Sequence, residues 1–203
     1  RRQRQMCIRD SLSSVLPAIS SAIGHPIPTA IHADPKRLQE ALGLPDARSA
    51  VVVLVDGLGY WNINMRLGHS PYLRSLMADG VNQRPIATCM PSTTVAAMST
   101  FGTGTCPGLT GMTGYTQLNP DNGEICQLIS FKNAPAPLKL QQQPTIFERL
   151  AEQDVRVTSS GLPKFAFSAL TQAALRGSDY ISNDDPHRRL SLIHISEPTR
   201  QEA

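Results

Sequence analysis

An α/β fold with a largely parallel sheet is what this sequence predicts, on two patterns. Residues 49–55, SAVVVLV, form an apolar, β-branched run without alternation, which is how a strand covered on both faces reads. Around it, strand-like stretches take turns with stretches of helical periodicity, so helices should layer onto the sheet. The 203 residues suffice for one substantial domain, and 40% hydrophobic and 17% charged residues are ordinary for a globular chain. No apolar run approaches the length of a membrane span.

Taken in order, residues 12–23 (LSSVLPAISSAI) are mildly apolar and interrupted by Pro17, which leaves a short helix and an extended approach both open. A Pro-rich connection follows. Asp34 and Pro35 then have the chemistry of a cap and a first helical residue, opening a short helix that stops near Gly43. After the strand at 49–55 and the turn DGLGY, a helix is expected at 71–78 and a second strand in VNQRPIATC beyond Gly80. The Ser92-Thr93-Thr94 cluster is N-cap chemistry for a helix VAAMSTF. GTGTCPGLTGMTGY, dense in Gly and Thr, reads as a loop of tight turns. Further on come a strand in EICQLISF, a connector NAPAPLKLQQQP, and an amphipathic helix TIFERLAEQDV with Ile146, Phe147, Leu150 and Ala151 on one side. A strand VRVTSSG, a helix SALTQAALRG and an exit through DYISNDD complete the chain.

Both ends need separate treatment. Residues 1–10, RRQRQMCIRD, resemble the translation of a transposon-type sequencing adapter, CGT CGG CAG CGT CAG ATG TGT ATA AGA GAC, whose two remaining bases, AG, would begin the Ser11 codon. Residues 190–200, LSLIHISEPTR, resemble the translated partner adapter. Two adapters in the expected order imply that residues 1–11 and 190–203 are not native and that residues 12–189 are the N-terminal portion of one catalytic domain. Excluding them removes five of the 19 Lys and Arg and three of the 16 Asp and Glu, so the net charge falls from +3 to +1. The basic arm that would have suggested a nucleic-acid or anionic-lipid partner disappears with them, and no nucleic-acid binding is expected. Cys89, Cys106 and Cys126 remain as an odd set without metal-ligand spacing, read as small buried residues or bystanders.

Two stretches carry chemistry. Asp56 leaves the apolar strand at its C-terminal edge, where parallel sheets gather ligands, although the same residue could simply open the turn with Gly57. Thr93 and Thr94 stand where the chain enters a helix, so amide donors and the helix dipole favour an anion beside a hydroxyl. An N-cap threonine is the structural alternative. GLG after the strand also begins a dinucleotide-binding fingerprint, but its third glycine is replaced by Asn62 and Asp56 would repel a pyrophosphate.

Together, VVVLVDGLGY and MPSTTVAAMSTFGTGTCPGLTGMTGY resemble the alkaline phosphatase superfamily, and within it the nucleotide pyrophosphatase/phosphodiesterase branch. SPYLRSLMADGV resembles the helix that follows the family's first strand. The resemblance implies an alkaline-phosphatase-like three-layer sandwich, incomplete in this chain. It also implies a metal-dependent phosphoesterase working through a covalent phospho-threonine. The family nucleophile lies nine positions before the threonine of a Thr-Gly pair, and counting back from Thr103-Gly104 gives Thr94, with Thr93 as the alternative. Asp56 would ligate the metal that also binds Thr94. A family asparagine that holds a phosphoryl oxygen falls, twenty-one positions after Thr94, on Tyr115, whose phenol can donate one hydrogen bond in its place.

Two divalent ions, expected to be Zn²⁺, and a small-molecule phosphate ester or nucleotide substrate follow from the same resemblance. The family's later Asp-x-x-x-His and Asp-His ligands find no counterpart, since the Asp184–His187 spacing is wrong and His194 lies in the adapter-like end. His25, His32 and His69 read as surface or loop histidines. The chain alone is therefore expected to be inactive, because each Zn²⁺ wants about four ligands. Sulfatase, phosphomutase or phosphonate hydrolase activity, a Rossmann-type module and a non-catalytic domain are the alternatives.

Overall fold

The structure is a computed structural model that describes residues 11–83 and 85–191, so the adapter-like ends lie outside it except for Ser11, Leu190 and Ser191. The chain before residue 50 is helical. A 3-10 turn, Leu12–Ser14, runs into α1, Val15–Ala22, which settles the reading left open by Pro17. Pro17 occupies the third helical position, where the missing N–H would have had no intrahelical acceptor. Helix α2, Pro35–Ala41, starts as its sequence predicts, with Asp34 accepting a hydrogen bond from the Arg37 amide at 3.1 Å.

Residues 51–55 depart from expectation. They form no strand and pair with none of the described ones, and their side chains are between 40% and 68% exposed. An unalternating apolar run needs neighbours on both edges and both faces, and none of the described residues supplies them. Among the described residues, the second strand expected in VNQRPIATC does not form either. A 3-10 turn, Gly80–Gln83, is followed only by an isolated parallel bridge between Ser11 and Ala87. Helices α3, Tyr60–Asn64, and α4, Pro71–Ala78, do form, the latter with Pro71 at its first position as predicted. Yet from residue 47 to residue 92 no described side chain is buried.

Order returns with α5, Thr94–Thr103, capped by the Thr93 side chain and ended by Gly104 in the left-handed region (φ 62°). Val95, Ala96, Ser99, Thr100 and Phe101 are all buried, so this helix is enclosed rather than amphipathic. The Gly- and Thr-rich loop contains one helical turn, α6, Pro107–Thr110, and leads to an antiparallel hairpin of β1, Thr116–Leu118, and β2, Ile125–Gln127. Strand β1 was not legible in the sequence, and neither was the single turn α7, Pro137–Leu140, in the presumed connector.

Helix α8, Ile146–Ala151, has a reciprocal cap between Thr145 and Glu148. It buries Ile146 and Leu150 but leaves Ala151 exposed, against expectation, because the helix ends there. Strand β3, Thr158–Gly161, helix α9, Ala169–Ala174, and strand β4, Asp179–Ser182, make one βαβ unit with β3 and β4 parallel. Strand β4 replaces the exit segment read from the sequence. A final turn, α10, Pro186–Leu190, is capped by Asp185. Among the described residues the fold is therefore mixed α/β, with two small sheets in place of the one extended parallel sheet expected. Among the described residues no helix is long and apolar enough to cross a membrane.

Two hydrophobic clusters meet on α5. One joins Phe101 to Leu16, Ile27, Ile146 and Leu150, and the other joins Val95 to Met112, Cys126, Leu128 and Ala173. The Arg176 guanidinium, largely buried, ties α8 to the end of α9 through Glu148 at 2.7 Å and the Ala173 carbonyl at 2.8 Å.

His32 is not the surface histidine its loop position suggested. It is 4% exposed, with Nε2 2.9 Å from the Ser13 hydroxyl. Burial holds its pKa below the ordinary value of 6.5. The unfolded chain therefore takes up this proton at a higher pH than the folded one, and the contribution to stability, full above 6.5, is lost as pH falls toward the folded pKa. Urea unfolding is expected to give lower stability at pH 5.5 than at pH 7.5, with a slope of at most about 1.4 kcal/mol per pH unit. His32→Asn, which cannot titrate, should flatten that slope.

Candidate active site

The three residues singled out from the sequence converge. Thr94 is the first residue of α5, and its Oγ1 lies 3.2 Å and 3.5 Å from the two carboxylate oxygens of Asp56, to which it donates. The phenol oxygen of Tyr115 lies 3.1 Å from the same Oγ1. Asp56 arrives at the end of the apolar run through a turn in which Gly57 takes φ 71°, a conformation that favours glycine. Tyr115 arrives from the loop after α6, just ahead of β1.

Local chemistry separates the two threonines. Thr93 is the N-cap, its Oγ1 accepting from the Ala96 amide at 3.3 Å and its carbonyl from the Ala97 amide at 2.8 Å. The Thr94 hydroxyl takes no part in capping and faces Asp56 and Tyr115. The amides of Thr94 and Val95 have no intrahelical acceptor, so the positive end of the helix opens beside the hydroxyl. An anion held there would lie next to the Thr94 oxygen.

Asp56 and Thr94 could contribute two oxygens to a divalent cation. Among the described residues no group of three or more His, Cys, Asp or Glu side chains could hold one, so these residues do not make up a metal site by themselves. His25 bonds Gln153 at 3.1 Å, His32 is engaged with Ser13, and His69 ends an exposed 3-10 turn. Asp185 spends its carboxylate capping α10 at the His187 amide. Among the described residues the free cysteines are a buried Cys126 and half-buried Cys89 and Cys106.

The dinucleotide alternative loses ground at Asn62, whose Oδ1 accepts from the Gly59 amide at 3.0 Å and so occupies a donor that a pyrophosphate would need. A groove of about 340 Å³, lined in part by Thr29, Thr103, Thr105 and Arg149, opens at the other end of α5 and includes none of the three converging residues.

A family model described as Type I phosphodiesterase / nucleotide pyrophosphatase matches residues 50–196, a span that contains Asp56, Thr94 and Tyr115 and begins after α2. No curated protein and no solved structure matches the chain.

Proposed function

Since the chain belongs to the type I phosphodiesterase/nucleotide pyrophosphatase family of the alkaline phosphatase superfamily, we propose that its parent is a metal-dependent phosphoesterase with Thr94 as nucleophile. The observation that carries the reading is the Thr94 hydroxyl set between the Asp56 carboxylate and the Tyr115 phenol. Residues 12–189 are read as the N-terminal portion of the catalytic domain, with the substrate a phosphodiester, pyrophosphate or phosphomonoester of a small molecule.

In this arrangement Asp56 accepts the hydroxyl hydrogen and orients Oγ1 for attack on phosphorus. A phosphoryl group beside Thr94 would receive the free amides of the first helical turn, and the Tyr115 phenol can donate to one of its oxygens. Attack forms an Oγ1–P bond and breaks the bond from phosphorus to the leaving oxygen. Water then attacks the phospho-threonine and returns the Thr94 hydroxyl. Two divalent ions, which we take to be Zn²⁺, would bind with Asp56 and Thr94 among their ligands and favour ionisation of that hydroxyl. The other ligands are not among the described residues.

The test is hydrolysis of a chromogenic phosphodiester by the parent enzyme and by the 203-residue chain, each with added zinc and each with chelator. Zinc-dependent turnover is expected from the parent and none from the chain. A parent inactive on diesters, monoesters and pyrophosphates but active on sulfate esters would replace this reading with that of a sulfatase.

A further inference from the structure

Residues ahead of the family-matched span are tied to both ends of α5. The match begins at residue 50, yet Leu16 and Ile27 share a buried cluster with Phe101 of α5 and with Ile146 and Leu150 of α8. On the entry side, the Leu12 amide donates to the Ala87 carbonyl at 2.8 Å, seven positions before Thr94. At the exit, the Thr29 hydroxyl donates to the Gly104 carbonyl at 2.8 Å. The fit there is close: a Cβ on Gly104 would lie 2.7 Å from Pro17 and 3.0 Å from the Thr29 methyl.

These two anchors are joined within the segment. The Thr29 amide donates to the His32 carbonyl at 2.8 Å, and the His32 amide donates to Thr29 Oγ1 at 3.2 Å. From there the His32 ring reaches back to Ser13, next to Leu12, with Nε2 2.9 Å from the hydroxyl. Ser13 and His32 are both buried, which strengthens the link between them. Contacts thus run from the residues that lead into α5 to the residue that ends it. Position matters for this helix, because Thr94 must meet a carboxylate carried on a segment that buries nothing. The ten-residue helix moves as a body, so a shift at Gly104 is carried about 15 Å to Thr94. A misplacement of about 1 Å at a reacting atom can cost on the order of a hundredfold in rate. We propose that residues 12–47 brace the nucleophile helix and that Thr29, at the opposite end of α5 from the chemistry, is a positioning residue for Thr94. The effect on turnover rests on Thr94 being the nucleophile, whereas the brace does not.

Two measurements test it. In the 203-residue chain, Thr29→Val should speed hydrogen exchange of the Gly104 amide, the last intrahelical bond of α5, by about fivefold, with the Leu175 amide of α9 unchanged. Thr29→Ser, which keeps the hydroxyl, should restore the slow exchange. In the parent enzyme, T29V should lower kcat about tenfold with KM within about twofold, and T29S should recover most of kcat. Ser178→Ala is the control. It removes a hydroxyl that donates to the Leu175 carbonyl at the end of α9, at 3.3 Å, and should leave kcat within about twofold. Circular dichroism checks that each variant is folded. Unchanged exchange at Gly104 in T29V would overturn the brace whatever the nucleophile is. Faster exchange with kcat unchanged, in an enzyme whose phosphorylated intermediate is lost on Thr94→Ala, would overturn the positioning role. So would a loss of kcat that T29S does not recover or that S178A equals. An intermediate that survives T94A would count against the catalytic reading alone, and the exchange measurement would still decide the brace.

Discussion

Thr94→Ala in the parent enzyme is expected to lower turnover by at least about a thousandfold and to abolish the phosphorylated intermediate, because among the described residues it is the Thr94 hydroxyl that bonds both Asp56 and Tyr115. Acid quenching with labelled substrate reads the intermediate directly: label should stay on the unmodified protein and be absent from the variant. Thr93→Ala supplies the contrast. It removes the cap of α5 and should cost about 1 kcal/mol of stability while the label persists. Label retained by T94A and lost from T93A would reverse the assignment. Tyr115→Phe, which keeps the ring and removes the donor, should cost about tenfold to a hundredfold in turnover. Tyr115→Asn, which puts the family's amide in that place, should recover part of it.

The second large effect is expected far from the chemistry. A Cβ built on Gly102 would lie 1.7 Å from the Ala174 carbonyl oxygen and 3.2 Å from a methyl of Leu175. The first of these is a backbone atom at the end of α9, so no rotamer change relieves it. Gly102→Ala should therefore force α5 and α9 apart, at a cost of about 3 kcal/mol or more in urea unfolding, despite the better helix propensity of alanine. Gly108→Ala is the control: its Cβ would meet nothing within 4 Å, and a change under about 1 kcal/mol is expected. Equal effects at the two positions would mean that α5 and α9 do not pack as described.

What was legible in the sequence sorts by how local its cause is. Asp34 with Pro35, and Pro71, mark helix starts through atoms within a turn of one another, and both starts were read correctly, whereas the Thr145–Glu148 cap went unread although the helix it opens was expected. Strands depend on partners far along the chain. The run at 51–55 has the composition of a central strand, but no described neighbour pairs with it. Thr116–Leu118 and Asp179–Ser182 have unremarkable composition and are strands because Ile125–Gln127 and Thr158–Gly161 lie alongside. His32 sits in a Pro-rich connector whose sequence gives no hint that Ser13, 19 positions away, would bury it.

The candidate site residues were chosen by a different route. Thr94 is 38 positions from Asp56 and 21 from Tyr115, and no propensity argument joins them. They were legible because a resemblance fixed their spacing, and the structure brings the same three side chains within hydrogen-bond distance. The ligands of the expected metals were not, since no described residue matches them.

Thr94 and Asp56 touch, yet they belong to parts of the chain that open at very different free energies. Thr94 begins the helix shared by both hydrophobic clusters, so the residues that follow it are anchored by buried contacts on both sides. Asp56 ends a stretch that buries nothing, and its amides can exchange with solvent through fluctuations that leave both clusters intact. The carboxylate is thus the adjustable member of the pair and the hydroxyl the fixed one. A ligand that bridges them would act less on the helix than on the residues before Asp56, holding a segment that buries nothing against a helix that both clusters enclose.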